Sequence, residues 1–86
     1  MNTEIETSKP LSVPGWKYQT GAYLGRLIPN RKQRYTKLHE ALAECKKWAN
    51  CNGVTQVVKE MYYELRQGKR FMPSSLGERS WMKSHV

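Results

Sequence analysis

The residues best placed to do chemistry are Cys45 and Cys51, the only two cysteines of the chain. Cys45 lies on the apolar stripe of a predicted helix, and Cys51 follows just past the end of that helix, before Asn52-Gly53. A chain that turns back at this point brings the second sulfur against the last helical turn, so the spacing predicts a disulfide. Such a bond indicates an oxidising compartment, whereas two free thiols in a cytosolic protein are the alternative.

The remaining residue types do not form a recognisable metal or catalytic site. Zinc sites favour closely paired cysteines with a matching second pair, and isolated His39 and His85 do not supply that pair. Burial of Cys45 on an apolar stripe disfavours a reactive thiolate. The seven acidic residues are scattered singly, which leaves no carboxylate pair for acid–base catalysis. We therefore predict no catalytic residue, no metal and no cofactor.

The strongest bulk signal is positive charge: 15 Lys+Arg against 7 Asp+Glu give a net charge of +8. This balance favours an anionic partner, such as nucleic acid, an acidic glycan, an acidic protein or a membrane surface. Three basic clusters are expected to form a binding patch, namely Arg31, Lys32, Arg34 and Lys37 before the helix, Lys46 and Lys47 at its end, and Arg66, Lys69 and Arg70 further on. The alternative is that each cluster only caps an element or solvates a turn.

Aromatic side chains lie close to these cations in the sequence. Arg34-Tyr35 and Arg70-Phe71 place a cation next to a ring, a composition suited to stacking on sugars or bases. Tyr62 and Tyr63 fall on opposite sides of a predicted strand, so one of them is exposed or covered by another segment. Tyr35 and Tyr62 are the stacking candidates, while most other aromatic residues are expected in the core.

One amphipathic helix must position the cysteines. Its apolar stripe has helical spacing and consists of Leu38, Ala41, Leu42, Cys45, Trp48 and Ala49. Thr36 is the predicted N-cap, and Glu40 in the first turn suits the helix dipole, as do Lys46 and Lys47 in the last turn. The helix is therefore expected to run from Thr36 to just before Cys51.

Short strands are predicted on both sides of this helix, at residues 16–19, 22–24, 54–58, 61–65, 71–72 and 80–83. Their order predicts an α+β fold in which one helix packs on a small antiparallel sheet. Residues 1–13 are expected to be a disordered tail and residues 14–86 a single small binding domain. No stretch approaches the length of a transmembrane helix.

The segment from the helix to the hairpin resembles the PAN/apple domain family. In that family a helical cysteine pair precedes a third cysteine and an apolar strand; here Cys45, Cys51 and Gly53–Val57 match the second, third and fourth of these features. Ala41 stands where the first helical cysteine is usual, and the strand partner of that cysteine would fall near Tyr63. The resemblance thus implies a reduced, single-disulfide variant that binds protein or carbohydrate without catalysis.

These observations favour a non-catalytic extracellular recognition module for an acidic glycan or an acidic protein surface. The alternative is a small basic nucleic-acid-binding protein of the cytoplasm, of phage or bacterial type, with residues 31–37 on the phosphates. A third possibility is a regulatory protein that docks the edge of its sheet on a partner. Oxidised cysteines favour the first reading, and free thiols favour the others.

Overall fold

The computed structural model describes residues 12–28 and 34–84. It is an α+β fold with one helix and antiparallel sheets, as the sequence predicts. Its elements, in chain order, are β1 (Trp16–Thr20), β2 (Ala22–Tyr23), α1 (Leu38–Lys47), β3 (Gly53–Val57), a 3-10 turn (Val58–Glu60), β4 (Tyr62–Arg66), β5 (Met72–Pro73) and β6 (Arg79–Lys83). Four strands form the larger sheet in the order β1-β6-β3-β4, and β2 pairs with β5 in a smaller one.

The larger sheet is covered on both faces. Helix α1 packs against β3 and β4, and β2 packs against β3 and β6. The two central strands are consequently buried, with Val54 and Trp81 at 0% exposure. Since side chains alternate along a strand, Val54 and Trp81 face the helix, whereas their neighbours Thr55 and Ser80 face β2.

The hydrophobic core lies between α1 and the sheet. Trp81 is its largest fully buried side chain, and the rings of Tyr18 and Tyr63 lie 5.1 and 5.9 Å from it, centroid to centroid. The helix contributes Ala41, Leu42 and Cys45 to the same cluster. Ala41 belongs to this core, and Tyr63 packs against it, partly buried.

A series of buried hydrogen bonds, here called the polar chain, holds β2 against the face of the larger sheet opposite α1. The Leu24 amide donates to Thr55 Oγ1 at 2.9 Å, Thr55 Oγ1 and Ser80 Oγ lie 2.8 Å apart, and Ser80 Oγ donates to the Ala22 carbonyl at 2.9 Å. Every hydroxyl in this chain is used as both donor and acceptor, which is the condition under which buried polar groups stabilise a fold.

The outer edge of β4 is also covered. Tyr35 exchanges two backbone hydrogen bonds with Tyr63, of 2.8 and 2.7 Å, and the Ile28 amide donates to the Leu65 carbonyl at 3.3 Å. The chain before and after residues 29–33 therefore runs along this strand. Such coverage removes an edge that would otherwise pair with another chain.

The helix is shorter than the sequence predicts. It begins at Leu38, with Lys37 rather than Thr36 at the N-cap position and no capping side-chain bond, and it ends at Lys47 with Trp48 already extended. A continuous helix would separate Cys45 and Cys51 by about 9 Å along its axis, beyond the reach of a disulfide. The cross-link therefore requires the chain to leave the helix early, and Ala49 is exposed.

The predicted strands are all present, with bounds that differ by at most one residue. β3 ends at Val57 because Val58 begins the 3-10 turn, and β4 begins at Tyr62 because Met61 has a left-handed φ of 61°. Residues 1–11 of the predicted tail lie outside the described residues. Val13, predicted as the last residue of that tail, packs partly buried against the core.

The polar chain under β2 yields a first prediction. Thr55→Val removes the acceptor of the Leu24 amide and leaves that buried donor unpaired, so the free energy of unfolding should fall by about 1–3 kcal/mol. Thr20→Val, at an exposed position of β1, is the matched control and should change it by less than about 0.5 kcal/mol. Urea unfolding followed by tryptophan fluorescence measures both, and equal effects would contradict the role assigned to Thr55.

Candidate anion-binding groove

A concave surface lies between residues 13–16 and one face of α1. Two adjoining cavities of about 290 and 420 Å³ share Pro14, Trp16 and Lys46 in their walls. We call this surface the Trp16 groove; the side chains that shape it are those of Pro14, Trp16, His39, Leu42, Lys46 and Lys83. It combines an aromatic and aliphatic wall with two lysine side chains.

A tight turn places Trp16 at the groove. The Trp16 amide donates to the Val13 carbonyl at 3.0 Å, across Pro14 and a Gly15 with φ of 90°. Proline followed by glycine at a positive φ is the sequence pattern of a type II turn, and the glycine is needed for that φ. The Gly15 carbonyl accepts from the Ser84 amide at 3.0 Å, which ties the turn to the end of β6. Trp16 is thus fixed with part of its ring buried and part in the groove.

The helix wall has its own periodicity. His39, Leu42, Ala43 and Lys46 follow one another at helical spacing and line one of the two cavities. This stripe runs beside the core stripe, and Leu42 belongs to both. Lys46 thereby projects from the last turn of α1 into the groove, where both cavities include it.

Lys83 forms the opposite, buried cation of the groove. It is 8% exposed at the end of β6, directly across from Trp16 in the β1–β6 register. Its Nζ donates to the Trp48 carbonyl at 3.2 Å, and no carboxylate of the described residues forms an ion pair with it. Burial lowers the pKa of Lys83 below its ordinary value because desolvation disfavours the charged form.

A partly buried ammonium without a carboxylate partner opposes folding, although less than a fully buried one. Desolvated charged side chains are common at functional sites, where they can bind a ligand of opposite charge. Lys83 and Lys46 line the same cavity, so an anionic group placed there would meet both.

The disulfide predicted between Cys45 and Cys51 is present, with the Cα atoms 5.3 Å apart. Both cysteines are fully buried. The bond closes the turn that contains Lys46 and Trp48. It therefore positions both Lys46 and the Trp48 carbonyl, which accepts the hydrogen bond from Lys83. The disulfide is structural support for the groove.

The predicted basic residues that the structure describes are not gathered into one patch. Lys47 forms an ion pair with Glu44 at 3.4 Å on the helix surface, outside the groove. Arg66 is partly buried and structural, since its guanidinium donates to the Leu24 carbonyl and to the Glu64 carboxylate. The charge of Arg66, predicted as a ligand-binding residue, is thus used inside the fold.

The other predicted residues occupy separate places. Lys69 and Arg70 line a cleft on the side of β2 and β5. The guanidinium of Arg34 lies over the ring of Tyr62, the other stacking candidate, 4.7 Å from the ring centroid. Arg31 and Lys32 lie outside the described residues.

Tyr35, which the sequence offers as a stacking candidate, lies in the core. It is 7% exposed and belongs to the core, because its backbone pairs with β4 and draws the ring inward. Burial, and secondarily the charge of Glu44, raise the pKa of the Tyr35 hydroxyl.

Two residues of the groove were not identified from the sequence. Trp16 is one of the aromatic residues that the sequence assigns to the core, and Lys83 is only the last residue of a predicted strand. The available signals were the Pro14-Gly15 pair directly before Trp16 and the second helical stripe that ends at Lys46.

Within residues 12–28 and 34–84, no group of three or more His, Cys, Asp or Glu side chains could hold a metal ion. No helix of that same part of the chain is long and apolar enough to cross a membrane. No protein-family model matches this chain, and searches of curated proteins and of solved structures find no significant match either.

The buried lysine gives a second prediction. Lys83→Met keeps the aliphatic stem and removes the desolvated charge, while the Trp48 carbonyl retains its bond from the Cys51 amide at 3.1 Å. We expect the free energy of unfolding at neutral pH to be unchanged or to rise by about 1 kcal/mol. Urea unfolding measures it, and a fall of more than about 1 kcal/mol would show that Lys83 stabilises the fold.

The pH dependence of stability should differ between the two proteins. At pH values below the lowered native pKa of Lys83, the side chain is charged in the folded protein, and desolvation of that charge reduces the free energy of unfolding by its full amount. Between that pKa and the unfolded value of 10.5, the unfolded chain binds more protons, so the free energy of unfolding rises with pH. The Lys83→Met variant should lack this alkaline rise, and identical pH profiles would contradict the assignment.

Proposed function

We propose that this protein is a non-catalytic recognition module that binds an acidic glycan in the Trp16 groove. The observation that carries the proposal is Lys83, a buried cation that has no carboxylate partner among the described residues and that shares a cavity with Trp16 and Lys46. Carboxylate and sulfate groups are the acidic substituents of sugars. Either one can accept charge-assisted hydrogen bonds from the two ammonium groups.

The shape of the groove favours a sugar ring over a flat protein surface. Its two cavities, of about 290 and 420 Å³, fall at the lower end of the range for small-ligand sites. The partly exposed face of Trp16 offers an apolar platform next to the cations, and aromatic rings with one wet side are common recognition surfaces. A ring stacked on Trp16 would bring an acidic substituent to Lys46 and Lys83.

The distribution of charge disfavours nucleic acid as the principal ligand. A phosphate backbone is followed by a row of cations along a groove. Here Arg66 and Lys47 are paired with carboxylates, and Lys69 and Arg70 lie on the other side of the sheet from α1. The Trp16 groove concentrates two cations at one point, which suits a single acidic substituent.

We also propose an extracellular location and retain the PAN/apple resemblance as part of the proposal. The Cys45–Cys51 bond supports both, since disulfides persist in oxidising compartments. Alkylation of protein taken from its native source, followed by intact mass measurement, tests this point. Two added alkyl groups without reduction would contradict the extracellular reading.

The binding proposal is tested by calorimetric titration with a chondroitin sulfate disaccharide, with neutral chitobiose as the comparison ligand. Lys46→Ala and Lys83→Met should each weaken binding of the acidic sugar about tenfold, because each removes one charge-assisted contact. Lys47→Ala is the matched control: it removes the adjacent charge, which already pairs with Glu44 and lies outside the groove. Its affinity should stay within about twofold of wild type.

Two results would contradict the proposal. Equal losses in Lys46→Ala and Lys47→Ala would show that only net charge matters. Tighter binding of a DNA duplex than of the disaccharide, unaffected by Lys46→Ala, would favour the nucleic-acid alternative.

A further inference from the structure

A second cleft lies on the opposite side of the sheet from α1. It has a volume of about 290 Å³ and is lined by Tyr23, Gly25, Gly68, Lys69, Arg70 and Met72. We call it the Tyr23 cleft. None of its residues belongs to the Trp16 groove, and two of them are among the predicted basic residues.

The floor of the Tyr23 cleft is backbone. The Gly68 amide donates to the Gly25 carbonyl at 2.9 Å, where the chain after β4 crosses the chain after β2. A Cβ on Gly68 would overlap the backbone of Gly25, so this crossing requires glycine. The adjacent Gln67 amide donates to the Arg26 carbonyl at 2.8 Å, which fixes the crossing further.

One wall of the cleft is the outer face of the small sheet. Ala22 and Leu24 are fully buried toward the larger sheet, so Tyr23 between them points away from it. Tyr23 pairs directly with Met72 of β5. Directly paired residues of antiparallel strands have side chains on the same face, so these two form a joined aromatic and thioether wall.

The rim of the cleft carries the charge. Lys69 and Arg70 are both exposed, and neither forms an ion pair with a carboxylate of the described residues. An aromatic wall beside two unneutralised cations repeats the chemistry of the Trp16 groove, with Tyr23 in place of Trp16.

We propose that the Tyr23 cleft is a second acidic-glycan site, and that the protein thereby binds two glycan segments at once and cross-links acidic polysaccharides. The inference rests on the proposed function, because it assigns the same ligand class to both sites. The two sites open on opposite sides of the larger sheet, one beside α1 and the other beyond β2. A disaccharide therefore occupies one site or the other, whereas a long chain or two chains can occupy both.

Native mass spectrometry and calorimetry with the chondroitin sulfate disaccharide test the inference through stoichiometry. Wild type should bind two disaccharides. Lys69→Ala with Arg70→Ala should bind one, and so should Lys46→Ala with Lys83→Met. Lys17→Ala with Lys59→Ala removes two exposed charges outside both sites and should still bind two.

Light scattering with chondroitin sulfate chains tests cross-linking directly. Wild type and the Lys17→Ala, Lys59→Ala control should both increase the hydrodynamic radius of the polysaccharide several-fold, as bridged chains form. The Lys69→Ala, Arg70→Ala variant should bind the chains without this growth. If the increase in radius depended only on net charge, the Lys17→Ala, Lys59→Ala control would lose it as fully as the Lys69→Ala, Arg70→Ala variant. That result would overturn the inference.

The outcomes separate this inference from the function on which it rests. One bound disaccharide that is lost with the Lys46 and Lys83 substitutions alone overturns the second site and leaves the Trp16 groove. One bound disaccharide that is lost with the Lys69 and Arg70 substitutions alone overturns the Trp16 groove and leaves the Tyr23 cleft. No binding in wild type overturns both.

Discussion

The turn closed by Cys45 and Cys51 is the constraint on which the rest of the structure depends. Asn52, next to the bridge, donates its amide to the Arg66 carbonyl, and its carbonyl accepts from the Lys83 amide, both at 2.9 Å. The same turn presents the Trp48 carbonyl to the Lys83 ammonium. One short loop thus joins α1, β4 and β6. Closing a loop of this length contributes about 2 kcal/mol in the chain-entropy account, a large share for a small domain.

Burial of the central strands on both faces explains why there are two candidate sites. Helix α1 covers one face of the larger sheet, and β2 covers the other, held by the Thr55–Ser80 hydroxyl chain and by Arg66. The Trp16 groove lies beside α1, and the Tyr23 cleft lies on the outer face of the small β2–β5 sheet. Each of the two is lined by an aromatic ring and two cations. Arg66 helps to hold β2 on the larger sheet through its bond to the Leu24 carbonyl, whereas Lys69 and Arg70 stay exposed.

The sequence predicts the elements better than it predicts the groove. The spacing of Leu38, Ala41 and Cys45 indicates the helix, and β-branched residues indicate β3, because these patterns depend only on local periodicity. The helix end is wrong because Trp48 continues the apolar stripe, and only the geometry of a cross-link makes the chain leave the helix at Lys47. The disulfide itself follows from the spacing of its two cysteines.

The charged residues show the limit of reading a sequence alone. Arg66 and Lys83 are both cations at strand ends, yet one is neutralised by Glu64 and the other has no carboxylate partner among the described residues. The Arg66–Glu64 pair is local, since residues two apart on β4 share a face of the sheet, whereas the surroundings of Lys83 are set by the long-range pairing of β6 with β1. Tyr35 was likewise placed by its pairing with Tyr63, a long-range contact that no local pattern encodes.

The proposed function places an acidic sugar between Trp16, Lys46 and Lys83. The most direct measurement is an NMR titration of isotopically labelled protein with the chondroitin sulfate disaccharide, in which backbone amide, indole and lysine ammonium signals are followed together. We expect the Trp16 indole signal and the Lys46 and Lys83 ammonium signals to shift together with one affinity. Saturable shifts confined to residues 34–37, with these three signals unmoved, would contradict it.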